Sequence, residues 1–330
     1  MKILPEVRGY DFNRRFDLKE FFASLGSTGI QASKLAKAIE IVKHMVADKA
    51  TIFLTCTSNM GSSGVRDIIR YLVQHKHVHA LCMSAGAVEE DVIKTLQPFV
   101  LGDFAALGKT LREEGFGRIG NIFAPYDRYM DFEGFMQPFL ERIYQESKAR
   151  GTPFSVSEFI CELGKEANHP SSMLYWASKN DIPVFCPAIT DGAIGDLLMF
   201  ARMRHPDFYL DIVGDSHRIF KFVIAQQKTG AIILGGGPAK HFVMNANIFR
   251  DGLHYAVYIS TAVEYDASDS GGNPEEAISW AKIKPDAEHV KVNCEASIAF
   301  PLLVAAVFAV PSDESGNVNG NGSHARPGDL

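Results

Sequence analysis

A recurring unit of buried strand, short polar turn and helix constrains the fold of this chain more than any other feature. The run at 50–57, ATIFLTCT, is continuously apolar and β-branched, which is typical of a strand buried on both faces. It passes through a glycine- and serine-rich turn at 58–64 into the helical run VRDIIRYLVQH. The same order recurs at 79–96, 183–203 and 231–249. Strands that alternate with helices predict an α/β fold, a Rossmann-like doubly wound parallel sheet with helices on both faces.

The remaining elements complete a single domain over residues 1–310. Further strands are predicted at 208–213, 255–259 and 290–293, and residues 108–129 are predicted to be rich in loops. Apolar periodicity predicts further helices at 18–25, 31–47, 132–148, 155–166, 171–179, 216–227 and 298–310. Residues 311–330 are polar and glycine-rich, which predicts a disordered tail.

Five polar clusters follow the predicted strands. In doubly wound sheets, ligands bind at the carboxyl ends of the strands near a topological switch point. The glycine turns match neither GxGxxG nor GxxxxGK[ST], so each of them alone is a weak signal. Their convergence predicts an enzyme that binds a nucleotide cofactor and a cationic substrate. The clusters are 58–64, 84–90, 191–196, 235–241 and 261–269.

The stretch at 261–282, TAVEYDASDSGGNPEEAISWAK, is the predicted centre of the chemistry. Its carboxylates can hold a positively charged ligand, and Trp280 can add a cation–π contact. Asn273 is predicted as a helix N-cap, with Pro274 at the first helical position and Glu276 at the third, as in a capping box. The carboxylates belong to Glu264, Asp266, Asp269, Glu275 and Glu276.

Lys282 is the candidate nucleophile of this stretch. It converges on the acids only if the helix ends near Ala281, and Pro285 makes such an end plausible. A surface salt bridge is the plain alternative. The segment SWAKI is mostly apolar, however, and an amine in apolar surroundings has a lowered pKa, which favours attack on carbonyl or imine carbon.

Composition excludes several classes of function. The net charge of −6 provides no basic surface for nucleic acid and agrees in sign with a cationic substrate. The five cysteines are scattered without metal-binding or redox spacing, so we expect no metal and a reducing, cytoplasmic location. No signal peptide is expected, and the longest apolar run, at 298–310, is too short to span a membrane and contains Pro301.

Several long strings in this chain resemble the deoxyhypusine synthase family from Val7 to about Ala309. They are VRGYDFNR, TSNMGSSG, SAGAVEED, GRIGN, LGKE, PVFCPAITDGAIGD, ILGGGPAKH, NAN, ASDSG and EEAISWAKI. The resemblance implies a homotetrameric, NAD-dependent enzyme of Rossmann-like fold. It implies transfer of the aminobutyl group of spermidine to one lysine of the translation initiation factor 5A precursor, through an imine on an enzyme lysine, with release of 1,3-diaminopropane.

The resemblance also assigns roles to individual residues. Lys282 would carry the aminobutyl group, and His241 would assist it. The spermidine positions implied are Glu89, Glu90, Asp196, Gly236, His241, Ala267, Ser268, Asp269, Glu276 and Trp280. The NAD positions implied are Ser58, Asn59, Met60, Gly61, Ser62, Ser84, Ala85, Gly86, Glu90, Asp191, Thr261, Ala262, Glu295 and Ala296.

Some of these assignments have alternatives or depart from the family. Glu89 and Glu90 can be explained as acids in a first helical turn, and His241 as a histidine at a helix start. Glu295 stands where the family commonly has Asp, and Ala267 where Gly is usual. Only six residues precede Val7, so no N-terminal gating helix is expected.

Three other functions compete with this assignment. A homospermidine synthase would use putrescine as the acceptor of the aminobutyl group. A silent polyamine-binding paralogue is disfavoured by the presence of Lys282 and its acids. An NAD-consuming deacylase would need a catalytic histidine motif and usually a zinc-ribbon cysteine set, and neither is visible.

Overall fold

A computed structural model describes residues 4–309, and its centre is a parallel β-sheet. The sheet has six strands: β1 Thr51–Cys56, β2 Ala80–Met83, β6 Val184–Phe185, β7 Thr229–Leu234, β8 Leu253–Ile259 and β9 Ile283–Val292. Their order in the sheet is β6-β2-β1-β7-β8-β9, and every neighbouring pair is parallel. The predicted α/β fold with a parallel sheet is therefore confirmed. The tail predicted at 311–330 lies outside the described residues.

Helices cover both faces of this sheet. Side chains of β1 alternate between the two core clusters: Ile52, Leu54 and Cys56 enter one cluster, and Phe53 enters the other. Within the described residues, no helix is long and apolar enough to cross a membrane. The helices are α1 Leu18–Thr28, α2 Ile30–Ala47, α3 Ser58–Ser62, α4 Val65–Gln74, α5 Ala85–Leu96, α6 Gly108–Glu113, α7 Tyr126–Arg150, α8 Val156–Ala167, α9 Met173–Lys179, α10 Ala193–Arg204, α11 Ile212–Ile224, α12 Gly237–Ile248, α13 Pro274–Ser279 and α14 Ala296–Val307.

The topological switch point lies between β1 and β7. From β1 the chain builds outward through β2 to β6, and from β7 it builds the other way through β8 to β9. The loops after β1 and β7 touch, because a Cβ on Gly235 would lie 2.9 Å from Cγ2 of Thr57. All five predicted clusters follow strands at this carboxyl edge, as expected.

The segment at 108–129 is not the loop-rich region that the sequence predicts. It contains α6 and two antiparallel strands, β4 Phe116–Ile119 and β5 Ile122–Pro125, which pair with β3 Val100–Leu101 in a small separate sheet. A two-residue turn joins β4 to β5, and its Gly120 has φ +61°. Glycine followed by asparagine is a known hairpin signal, so the sequence did contain this information.

Two strand predictions need correction. Residues 208–213 do not form a strand: only Asp211 makes a bridge, to Ser155, and its side chain accepts a hydrogen bond from the Gly214 amide at 2.7 Å. Asp211 thereby caps α11, which starts at the next residue. In contrast, β9 begins seven residues before the predicted start at 290. It is an edge strand, where polar residues are favoured, and its polar first half hid it.

Candidate functional site

The acidic stretch forms a loop and a short helix beside β8 and β9. Asn273 caps α13 as predicted, with Pro274 at its first position. The predicted capping box is wrong: the Asn273 side chain accepts from the Glu275 amide at 3.0 Å, which leaves the Glu276 carboxylate for the pocket. The helix ends at Ser279, and Ala281 has φ +55°. This early end brings Lys282 to the acids, as the sequence reasoning required.

Lys282 and His241 are in direct contact. The Nζ atom of Lys282 lies 3.2 Å from Nε2 of His241, and Nδ1 of the same ring lies 2.9 Å from Nδ2 of Asn245. Because His241 and Asn245 are four residues apart on α12, they share one helix face. The Asn245 amide therefore fixes the ring so that Nε2 points at the lysine.

Asp269 and Glu276 line one pocket with Trp280 and Lys282. Oδ2 of Asp269 is buried and has no hydrogen-bond partner, one of four such side-chain atoms among residues 4–309. A buried carboxylate oxygen without a partner is costly, which indicates a place for a donor. The enclosed part of the pocket measures only about 30 Å³. A longer cationic ligand would therefore have to extend along the open side, next to Trp280.

The expected apolar surroundings of Lys282 are not present within the chain. Trp280 is 65% exposed and Ala281 is exposed, because the left-handed turn at Ala281 ends the helix and leaves both at the surface. Ile283 is fully buried but lies on β9. The apolar enclosure inferred from SWAKI was therefore wrong for the single chain.

The remaining predicted substrate positions fall into two places. Gly236 touches the acidic loop, since a Cβ there would lie 2.4 Å from Cα of Ser270, and Ala267 and Ser268 are exposed in that loop. Glu89 follows β2 and Asp196 lies on α10, on the other side of the switch point. Three strand spacings separate β2 from β8, which is about 14 Å.

A second cluster gathers the predicted cofactor residues after β1 and β2. The Oγ atoms of Ser58 and Ser84 lie 2.8 Å apart, and a Cβ on Gly86 would come within 2.6 Å of Ser58 Oγ. The predicted turns are shorter than expected, because Ser58 begins α3 and Ala85 begins α5. Ser84 does not cap α5 with its side chain, so the amides at the start of this helix can meet an anionic ligand.

Glu89 and Glu90 are buried on α5, 5% and 4% exposed. They lie in the second turn of the helix, so the explanation by a first helical turn is wrong. Glu89 instead accepts from the Ile194 amide at the start of α10, at 2.9 Å. Glu90 accepts from the hydroxyl of Ser62. Burial raises the pKa of both carboxyls, that of Glu90 to about 7.

The other predicted cofactor residues follow the same edge. Met60 and Gly61 are buried in α3, and Gly61 packs so closely on Ala87 that an added Cβ would lie 2.7 Å from its Cα. Glu295 caps α14 by accepting from the Ser297 amide at 2.8 Å, with Ala296 buried behind it. The cofactor role of these residues stays a prediction. Of the remaining predicted cofactor residues, three are exposed, namely Asn59, Asp191 and Thr261, and Ala262 is half-buried.

We expect Glu90→Gln to change how stability depends on pH. The pKa of Glu90 rises from its ordinary 4.5 to about 7 in the folded protein. Between these values the folded chain keeps a proton that the unfolded chain loses, so stability falls as pH rises. Glutamine carries no such proton, so relative to wild type the variant should gain up to about 3 kcal/mol from pH 4.5 to pH 8. Urea unfolding across this range measures the effect, and parallel profiles for both proteins would contradict it.

Sequence reasoning missed three residues of the site. Lys240 and Lys291 both donate to main-chain carbonyls of the acidic loop, and Asn245 orients His241. The four-residue spacing of Asn245 from His241 was a usable signal. No sequence pattern pointed to the two lysines, since long-range packing alone brings them to the loop.

Cysteines and metal ligands do not form a further site. All five cysteines are unpaired, and Cys56, Cys82 and Cys186 are buried, as expected of reduced structural cysteines. Burial raises the pKa of the Cys56 and Cys186 thiols to about 12, which makes them unreactive. Across residues 4–309, no group of three or more His, Cys, Asp or Glu side chains is arranged to hold a metal ion.

Comparison with known proteins identifies relatives over nearly the whole chain. A family model described as deoxyhypusine synthase matches residues 20–307. The deoxyhypusine synthase of Musa acuminata is 46% identical, with 96% of this chain and 91% of the relative covered. Homospermidine synthase 2 of Senecio vernalis is 44% identical, with 96% of this chain and 92% of the relative covered.

A solved structure agrees in both fold and sequence. It is a crystal structure of a candidate deoxyhypusine synthase from Entamoeba histolytica, 31% identical with a TM-score of 0.66. The match covers 92% of this chain and 97% of that chain. The family match includes both the acidic stretch and the cluster after β1 and β2. The chain therefore belongs to the deoxyhypusine synthase family.

Proposed function

We propose that this protein is a deoxyhypusine synthase, a transferase that moves the aminobutyl group of spermidine to a lysine of the translation initiation factor 5A precursor. The observation that carries the proposal is the contact between Lys282 and His241 beside the unpartnered carboxylate oxygen of Asp269. The amine nucleophile and the anionic anchor line one pocket, and the proton carrier is in contact with the nucleophile. Family membership supports the same reaction.

The acids give the pocket its preference for a polyamine. Oδ2 of Asp269 can accept from an ammonium group, and Glu276 provides a second carboxylate in the same pocket. The exposed ring of Trp280 can lie against the methylene chain or a charged nitrogen of the ligand. A linear polyamine has charged groups separated by apolar chains, which matches this alternation.

Lys282 and His241 carry the covalent step. Nζ of Lys282 attacks the imine carbon of the oxidised spermidine, and 1,3-diaminopropane leaves with the electron pair of the broken carbon–nitrogen bond. Nε2 of His241 lies 3.2 Å from Nζ and can take the proton that Nζ loses when the ring carries its own proton on Nδ1 and the Asn245 amide is turned so that its oxygen accepts from Nδ1. The aminobutyl group is then held as an imine on Lys282 until the acceptor lysine attacks the same carbon and frees Nζ.

The residues after β1 and β2 fit a dinucleotide cofactor. The start of α5 offers amide donors that the Ser84 side chain does not cap, and Gly86 lets the chain approach closely. Ser58, Ser84 and Glu90 would hold NAD there. When bound, NAD supplies the acceptor for a hydride and returns that hydride within the same cycle.

Two features support a homotetramer with shared sites. Glu89 follows β2 and Asp196 follows β6, and β2 alone is three strand spacings, about 14 Å, from β8, which precedes the acidic loop, so one copy alone offers two separated groups of acids. Trp280, 65% exposed, lacks the enclosure that imine chemistry needs against hydrolysis. A neighbouring copy can supply both the cover and the missing acids.

The unpaired cysteines support a cytoplasmic location.

A homospermidine synthase is the second candidate, because Homospermidine synthase 2 of Senecio vernalis is 44% identical to this chain. Both activities would use the same cofactor and the same donor. They differ only in the acceptor, a protein lysine or putrescine.

Labelled spermidine decides between the candidates. We expect the protein with NAD to transfer label to the factor 5A precursor, and to do so far faster than to putrescine. The precursor with its target lysine changed to arginine is the matched control and should stay unlabelled. Light scattering of the same sample reports the mass of the active species.

Two outcomes would contradict the proposed activity, and a third would contradict the proposed shared site. Faster labelling of putrescine than of the precursor would identify a homospermidine synthase. No labelling of either acceptor, with NAD present and the protein folded, would identify a silent paralogue. A stable, fully active monomer would refute the shared site.

A further inference from the structure

Lys240 is a buried lysine inside the acidic pocket, next to His241 in the sequence. It is 6% exposed, and its Nζ lies 4.6 Å from the centre of the Tyr258 ring. The same atom donates to the main-chain carbonyl of Asp269. Burial lowers the pKa of this lysine, while the charge of Asp269 opposes that shift. The mechanism proposed above leaves Lys240 without a role.

The contacts of Lys240 divide the Asp269 carboxylate into two unequal oxygens. Nζ lies 3.8 Å from Oδ1, while Oδ2 has no partner. A cation beside one oxygen favours the rotamer that turns the other oxygen away from it. The Tyr258 ring holds Nζ by a cation–π contact at 4.6 Å. The geometry thus prepares one oxygen for a ligand before any ligand arrives.

We propose that Lys240 is a positioning residue for polyamine recognition, which holds the Asp269 carboxylate so that Oδ2 receives the ammonium group of the substrate. The inference rests on the proposed function, because it deepens the role of the same pocket. Lys240 acts through Asp269 and does not itself touch the substrate. Lys240 also reduces the net negative charge of the pocket. The position of the Asp269 carboxylate, and not charge alone, therefore selects the ligand.

Lys291 provides a matched comparison for this role. It also donates to the acidic loop, to the carbonyls of Ala262 and Gly271. It therefore anchors the ends of the loop as Lys240 anchors its middle. No contact of Lys291 involves the Asp269 carboxylate in the described part of the chain. If loop anchoring is all that matters, the two lysines should behave alike.

Double-mutant cycles test the proposal. Lys240→Met keeps the length and the apolar stem of the side chain but removes the charge. With NADH in place of NAD, so that spermidine binds but is not oxidised, we measure the spermidine Kd by calorimetry for Lys240→Met, Asp269→Asn and both combined, and then for Lys291→Met with the same partner. Each of Lys240→Met and Asp269→Asn should weaken spermidine binding about ten- to a hundredfold, because Asp269→Asn removes the countercharge of the ammonium group and Lys240→Met leaves the Asp269 carboxylate free to turn away from it. The combined variant should be little weaker than Asp269→Asn alone.

The comparison pair should behave independently. Lys291→Met should weaken spermidine less, and its effect should multiply with that of Asp269→Asn. If the effect of Lys240→Met on the spermidine Kd also multiplied with that of Asp269→Asn, the proposal would be overturned and Lys240 would be a loop anchor only. Tyr258→Leu, which leaves both charges but removes the ring, should weaken spermidine about three- to tenfold. An unchanged Kd in Tyr258→Leu would contradict the proposed geometry even if Lys240→Met failed to fold.

Failure of the proposed function would look different. In that case the wild-type protein would transfer no aminobutyl group to any acceptor, or would transfer it to putrescine faster than to the precursor. The cycle reads binding and not turnover, so it still reports on Lys240 wherever spermidine binds. If the wild-type protein transfers the group normally but Lys240→Met leaves the spermidine Kd unchanged, the role proposed for Lys240 is refuted and the proposed function still stands.

Discussion

Lys282→Ala is expected to abolish aminobutyl transfer and to leave no covalent adduct on the protein. Without Nζ, the oxidised spermidine has no enzyme amine to attack it, and one difficult exchange between two amines cannot be split into two easier ones. We expect the rate of transfer to fall at least about a thousandfold. Lys282→Arg should behave similarly, because a guanidinium keeps the charge but does not form an imine under these conditions.

The adduct itself can be trapped. Wild-type protein is incubated with spermidine and NAD without acceptor, reduced with borohydride, and digested for mass spectrometry. We expect one aminobutyl group on the peptide that contains Lys282, which added acceptor removes before reduction. Lys284→Ala is the matched control. Lys284 lies two residues later, on β9, 3.5 Å from Asp251 and away from the pocket.

The control separates the covalent role from a structural one. Lys284→Ala should retain both the adduct and the activity. If Lys282→Ala kept near-normal transfer, the group would have to pass directly between the two substrates. The assignment of 261–282 as a covalent site would then be wrong, although the same acids could still bind the polyamine.

The fold was predictable where burial alone decides the pattern. Strand β1 is covered on both faces, so its sequence is apolar without interruption and could only be a central parallel strand. Strand β9 lies at the edge, and its polar first half resembled a loop. At 208–213 the apolar run suggested a strand, but the side chain of Asp211 caps the following helix and turns the chain away. The hydrogen bond of the Asp211 side chain therefore outweighs the strand tendency of the apolar run at 208–213.

The site was predictable to the extent that its residues lie close together in sequence. Asn273, Pro274 and the early end of α13 follow local rules, and these place Lys282 among the acids. Lys240 depends on β7 and β8 being neighbours, which brings α12 against the acidic loop. No local rule contains that information. The exposure of Trp280 is also a property of the folded chain, and the composition of SWAKI suggested the opposite.

Of the substitutions proposed, Asp91→Ala is expected to cause the largest loss in the free energy of unfolding. Asp91 is fully buried and follows Glu90 on α5. One oxygen accepts from Nε of Arg66 at 2.6 Å and from the Met173 amide at 3.0 Å. The other accepts from the Ser172 hydroxyl at 2.5 Å and from the Leu174 amide at 3.0 Å. This one carboxylate therefore ties α5 to α4 and to the start of α9.

Removal of the carboxylate leaves Arg66, only 4% exposed, with an uncompensated charge, together with orphaned donors at the start of α9. Loss of one partner of such a buried pair costs about 3–5 kcal/mol, and urea unfolding at constant pH measures it. Asp67→Ala is the matched control, because Asp67 lies 3.8 Å from the same arginine but its side chain is 62% exposed. It should cost less than about 1 kcal/mol. Equal losses from the two variants would mean that proximity to Arg66 matters and burial does not.

Asp91 also fixes the helix that carries Glu89 and Glu90. Asp91→Ala should therefore weaken NAD binding in the fraction of the protein that remains folded.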